Sequence, residues 1–138
     1  LSVVLQELKN EYKDVLVTAA EYWTIAKNEI ASIRESDFGG LGHACEMETS
    51  LYLYLCEDGV RSGMIRDDGV QPEGSMFRSD MLSGSVAARV MDFCELTKSG
   101  VFGRPTLASK EKGERFFRSI SNQLDAFANE LYSIGRKG

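Results

Sequence analysis

Lys13-Asp14-Val15-Leu16-Val17-Thr18 is the stretch on which the reading of a sheet-containing chain rests. Two polar residues give way to an apolar, β-branched run, which reads as a short strand buried in a parallel sheet. The residues before it are helical in pattern: Leu1, Val4, Leu5, Leu8 and Tyr12 fall on one face. That helical pattern starts at the first residue, with no cap ahead and no Met, and so points to a processed or truncated chain. After the run, Ile25, Ile30 and Ile33 predict one or two short helical turns within Glu21 to Arg34. Asp37 to Gly42 is a glycine-rich loop, and Ala44 to Cys56 carries the stripe Ala44, Met47, Leu51, Leu55 of a helix.

Residues 57 to 84, rich in Gly, Asp and Ser, predict a long surface excursion with an extended piece near Val60 to Ile65. Val86 to Thr97 fits either period and is read as a strand. Ser99 to Thr106 is a turn-rich connector into the clearest amphipathic helix. Thr106 or Ser109 can cap that helix, Glu111 suits its first turn, and Phe116, Phe117, Ile120, Leu124, Phe127 and Leu131 form its stripe. The aromatic row is read as core, and Gly135 as the glycine that ends the helix. Helices alternating with few, short apolar strands predict an α/β fold, a three-layer α/β/α sandwich with a mainly parallel sheet.

Composition narrows the function classes. At 138 residues, 43% hydrophobic and 27% charged, the chain suits one globular domain. Its net charge of -5 and the absence of a Lys/Arg stripe argue against nucleic acid or an anionic membrane as partner. No apolar run is long enough to span a bilayer, and no secretory leader stands at the start. Cys45, Cys56 and Cys94 lack C-x-x-C spacing, which speaks against a disulfide framework and for a reducing, cytoplasmic setting. Cys45 and Cys56 are expected to be small buried apolar residues. Asp67-Asp68-Gly69 reads as a turn, since the other ligands of a calcium loop are missing. Tyr52 and Tyr54 could serve a subunit contact. With the single histidine, His43, a self-contained transition-metal site is not expected, so metal ligands would have to come from outside this chain.

The chemistry-bearing segment is Gly39-Gly40-Leu41-Gly42-His43-Ala44-Cys45-Glu46-Met47-Glu48-Thr49-Ser50. It sets one imidazole and two carboxylates where a glycine loop enters a helix. Glycines admit close approach of a ligand, and a helix N-terminus presents free N–H groups to an anion. The positive helix end favours the neutral, proton-accepting imidazole. At about 100° per residue, Glu46 shares the His43 face while Glu48 points away. For His43 and Glu48 to serve one site, His43 must lie off the spiral. The plainer reading makes His43 a loop residue beside a helix start and leaves both glutamates solvated; spacing leaves the two open. The glycine loop likewise suits either a substrate phosphate or a tight turn without a ligand.

Gly42 to Ser50, followed by an apolar helix, is similar to the G-H-A/G-G-x-x-E-T-S segment of the creatininase family. Ser99 to Gly113 resembles the same family's G-V-…-A-T/S-x-E-K-G segment, about 55 residues further on. The resemblance implies that residues 1–138 are the C-terminal half of a single creatininase-like domain. It implies a metal-dependent amidohydrolase that cleaves the C–N bond of a small amide, cyclic amide or formamide. In such a site a metal-bound hydroxide attacks the carbonyl, His43 passes a proton to the leaving nitrogen, and Glu48 orients His43. Gly39, Gly40, Gly42 and Trp23 would shape the substrate pocket. The cofactors implied are two divalent ions (zinc, manganese or iron) held outside this chain, because the family's E-x-H-G and N-G-H motifs do not occur in it. A companion polypeptide carrying the metal-binding half and a homo-oligomer, commonly a hexamer, are the partners implied. Creatininases proper carry Trp and Asp where this sequence has Gly39 and Gly40, which disfavours creatinine as substrate. A non-catalytic subunit of the same fold, or a peptide-trimming member, are the alternatives.

Overall fold

A computed structural model describes residues 1–135 and is built from helices. In chain order these are α1 (Ser2–Glu11), α2 (Tyr22–Ile25), α3 (Lys27–Ile33), α4 (Glu46–Leu55), α5 (Phe93–Leu96) and α6 (Lys110–Gly135). Short 3₁₀ turns lie at Glu57–Gly59, Ser62–Met64 and Pro105–Leu107. The three-layer α/β/α sandwich is not what forms. Among the described residues extended pairing is limited to two isolated antiparallel bridges, His43 with Phe102 and Asp80 with Ser83, and there is no sheet.

The physical reason lies in what a strand needs. A β-rich run becomes a strand only when a neighbour takes up its backbone N–H and C=O groups. Val15 to Thr18 has no such ladder, and Val15 and Leu16 are both about half exposed. Val86 to Thr97 is also corrected. Val86 and Val90 stand in solvent, and the segment ends in α5, where the Asp92 N–H donates to the Glu95 carboxylate at 2.7 Å. The rest of the segment makes single backbone bonds, the Ala87 N–H to the Met76 carbonyl and the Val70 N–H to the Leu96 carbonyl, and no ladder. Val60 to Ile65 likewise holds a 3₁₀ turn, Ser62–Met64, in place of an extended piece.

The core is small and set by three helices. Ala26, Ile30 and Ile33 from the α2–α3 segment meet Leu41, Cys45 and Met47, and Phe116 and Ile120 of α6 close over them. The α4–α6 contact is the tightest. A Cβ on Gly113 would stand 1.9 Å from the Ser50 carbonyl oxygen and 2.8 Å from the Tyr54 Cβ, so the two helix backbones meet through that glycine. The buried face of α4 is Glu46, Met47 and Ser50; of the predicted stripe, Leu55 is exposed. Ser109 caps α6, its Oγ accepting from the Lys112 N–H at 3.2 Å. Of the aromatic row, Phe116 is buried, Phe127 half-buried, and Phe117 is partly exposed against Tyr54. Helix α6 runs as far as Gly135, and the cap that residue was read to start lies outside the described residues. Helix α1 buries none of its residues. No helix among the described residues is long and apolar enough to cross a membrane.

Candidate functional site

The loop from Ser36 to Cys45 is tied down at every turn, and this fixes where His43 stands. Asp80, with a side chain only 1% exposed, pairs with Arg34 at 3.0 Å and accepts the Gly39 N–H at 2.8 Å and the Leu41 N–H at 3.3 Å. Gln71 bridges the Gly39 carbonyl and Ser79. The Arg104 N–H donates to the Gly40 carbonyl at 3.0 Å. A Cβ on Gly40 would lie 2.3 Å from the Ser36 Cβ, and one on Gly42 2.3 Å from the Phe102 carbonyl oxygen. The glycines of the loop are therefore used for close backbone packing.

His43 exchanges both backbone hydrogen bonds with Phe102, at 2.7 and 2.8 Å. The next residue, Ala44, takes a left-handed conformation with φ 48°, which is rare for a residue with a side chain. This kink puts His43 off the spiral of α4. The Ala44 N–H donates to the Glu48 carboxylate at 2.6 Å, and the Ala44 carbonyl accepts from Thr49 Oγ1 at 3.1 Å. Glu48 thus holds the backbone beside His43 rather than the imidazole. The ring is exposed, packs edge-on against Phe93 at 5.5 Å, and makes no hydrogen bond among the described residues.

His43 and Glu48 stand between two clefts. The smaller, about 380 Å³, is bounded by Trp23, Gly42, Met81 and Phe102 as well as by those two residues. The larger, about 750 Å³, opens towards Tyr22, Leu51 and Val101. Of the residues singled out in the sequence, His43, Glu48, Gly42 and Trp23 come together at the smaller cleft. Gly40 is buried and Gly39 faces Gln71, and neither lines either of these two clefts. Tyr22 meets Trp23 edge-on at 4.9 Å, and its hydroxyl pKa is pushed up to about 12, first by burial and then by the Glu48 and Cys45 charges. Burial likewise raises the Cys45 thiol. Cys56, by contrast, is exposed and is not the buried residue expected.

The sequence reading missed the pair under the site. Glu46, fully buried, accepts the Glu35 and Ser36 N–H groups at 2.9 Å each and the Lys112 ammonium at 2.8 Å. Lys112 also reaches Glu35 at 3.0 Å and the Leu107 carbonyl. Burial acts to raise the Glu46 pKa, but the Lys112 ammonium and the two amides outweigh it and hold the carboxyl below its ordinary range. Burial acts to lower Lys112, and its two carboxylates reverse that and raise it. No local signal marked the pair, because Lys112 stands 66 positions from Glu46.

Among the described residues no three His, Cys, Asp or Glu side chains cluster to hold a metal ion. His43 stands without a second imidazole, and Glu48 is committed to the Ala44 amide. The donor set of the described residues does not fit a binuclear site.

The creatininase family model, described as creatinine amidohydrolase, matches residues 1–128. The chain belongs to the creatininase family, whose members are hydrolases of amidohydrolase type and typically metal-dependent. No curated protein and no solved structure matches it.

Proposed function

We propose that this chain supplies the proton-transfer and pocket side of an amidohydrolase that cleaves the C–N bond of a small amide, cyclic amide or formamide. Family membership together with one observation carries the reading: the single imidazole, His43, stands exposed at the junction of two clefts, with no hydrogen bond among the described residues. His43 would give its proton to the departing nitrogen. Glu48 would act at one remove, fixing the kinked backbone at Ala44 that carries the imidazole. Trp23 and Phe102 would form the apolar walls that exclude water. The family's metals would be held by residues of a companion polypeptide, and the exposed apolar face of α1 offers it a contact surface. A homo-oligomer and a cytoplasmic setting complete the proposal.

A second reading, a non-catalytic binding subunit, is favoured by the Glu48 carboxylate lying on a backbone amide and not on the imidazole. The two are separated by purifying the chain with whatever stays bound to it, recording intact mass and metal content, and assaying amine or formate release from formamides and cyclic amides. A second polypeptide, bound transition metal and turnover that falls by about 10²-fold or more in His43→Gln would support the amidohydrolase. A lone chain without turnover would leave the binding subunit.

A further inference from the structure

The larger cleft has a chemistry that the hydrolytic reading does not use. Its walls are apolar, with Leu51 and Leu55 of α4 facing Met64 and Ile65 of the following loop. Arg61 and Arg66 also line it. Neighbouring cations are paired, Arg104 with Asp67 at 2.8 Å and Lys110 with Glu57 at 2.5 Å. Among the described residues Arg61 and Arg66 have no carboxylate partner, and the only side-chain hydrogen bond between them runs from Arg66 Nε to the Met64 carbonyl at 3.2 Å. Asp68, whose carboxyl feels the Arg66 charge, has its Oδ1 occupied by the Thr97 and Ser99 hydroxyls.

Arg89 and Arg115 likewise have no carboxylate partner among the described residues, but Arg61 and Arg66 share the lining of one cleft. At an apolar cleft they match an anion attached to an apolar body, the planar fork of Arg suiting a carboxylate. The volume of about 750 Å³ lies inside the range usual for small-molecule sites. His43 and Glu48 border the same cleft, so a ligand seated in it reaches the imidazole.

We propose that this cleft selects an apolar organic carboxylate carrying an amide, of which an N-acylated hydrophobic amino acid is the simplest form. Its carboxylate meets Arg61 and Arg66, its side chain lies against Leu51, Leu55 and Met64, and its amide is presented to His43. The inference rests on the hydrolytic reading only for that last contact. There, water adds across the C–N bond, the acyl group leaves as a carboxylic acid, and the nitrogen takes the proton and leaves as the amine.

The test is calorimetric titration of the protein, as purified, with N-acetylphenylalanine and with its uncharged carboxamide. The carboxylate should bind about tenfold more tightly, as a charge-assisted hydrogen bond gives, and the advantage should shrink with salt. In Arg61→Gln/Arg66→Gln the two ligands should bind alike, with the carboxamide unaffected. Leu55→Asp, at an exposed position that folding does not need, should weaken both. Equal binding of the two ligands to the unaltered protein, a preference that survives the double substitution, or indifference to Leu55→Asp would each overturn the proposal. Selective binding of the carboxylate without hydrolysis upholds this site and counts against the amidohydrolase. Turnover of small neutral amides without any preference for the anion does the reverse.

Discussion

Replacing Lys112 with Met would remove the cation that makes the burial of Glu46 tolerable. The Lys112 side chain is 9% exposed and that of Glu46 0%, and their charged atoms lie 2.8 Å apart. Methionine fills a similar volume, so the loss is electrostatic: a buried carboxylate keeps two amide donors but no counter-charge. Breaking a buried pair from one side costs about 3–5 kcal/mol, a drop in melting temperature of roughly 10–20 °C for a chain of this size. Glu46→Gln should cost less, because Lys112 keeps Glu35, 63% exposed, and the Leu107 carbonyl. The double variant should be more stable than Lys112→Met alone. The pH dependence gives the sharper signature. In the unaltered protein the Glu46 pKa is depressed, so the pair's stabilisation is present above the ordinary glutamate range and lost as pH falls through the lowered value. In Lys112→Met burial dominates, the Glu46 pKa rises, and acidification relieves the penalty. The stability gap between the two proteins should therefore close on going from pH 7 towards pH 4. Urea unfolding followed by circular dichroism across that range measures it. A gap below about 1 kcal/mol at pH 7, or one that widens in acid, would refute the reasoning.

Gly113→Ala would drive a methyl into the Ser50 carbonyl and force α4 from α6; a loss of about 3 kcal/mol, read from thermal unfolding, is expected. Ala44→Gly should do the opposite and raise stability by about 0.5–1 kcal/mol in denaturant titration, since glycine accepts φ 48° without strain. Thiol labelling at pH 8 should modify Cys56 and Cys94 quickly and Cys45 only on unfolding, because Cys45 is buried and its thiol pKa is raised; three equally fast thiols would contradict that packing.

The helices were legible where local chemistry decides. The stripe of α6, its Ser109 cap and the Ile30 and Ile33 face of α3 each follow from residues close in sequence. The sheet was misread for the opposite reason. Val15 to Thr18 has strand composition, yet strand status depends on a neighbour, and a four-residue run says nothing about whether one exists. The position of His43 was legible only as a condition, that it must leave the helical spiral to share a site with Glu48; the kink at Ala44 meets that condition. Glu46 and Lys112 stayed hidden because burial of a charge is decided by its partner, here 66 positions away. Arg61 and Arg66 lay in a segment whose composition reads as a surface excursion.

The mutual backbone bond between His43 and Phe102 also governs when the site comes into being. Its two strands of one residue each belong to distant parts of the chain, so closing it costs loop entropy that no local element repays. The imidazole takes its place only when the segments that precede α4 and α6 have met. Amide exchange at His43 and Phe102 would then follow global unfolding, although both residues lie near the surface.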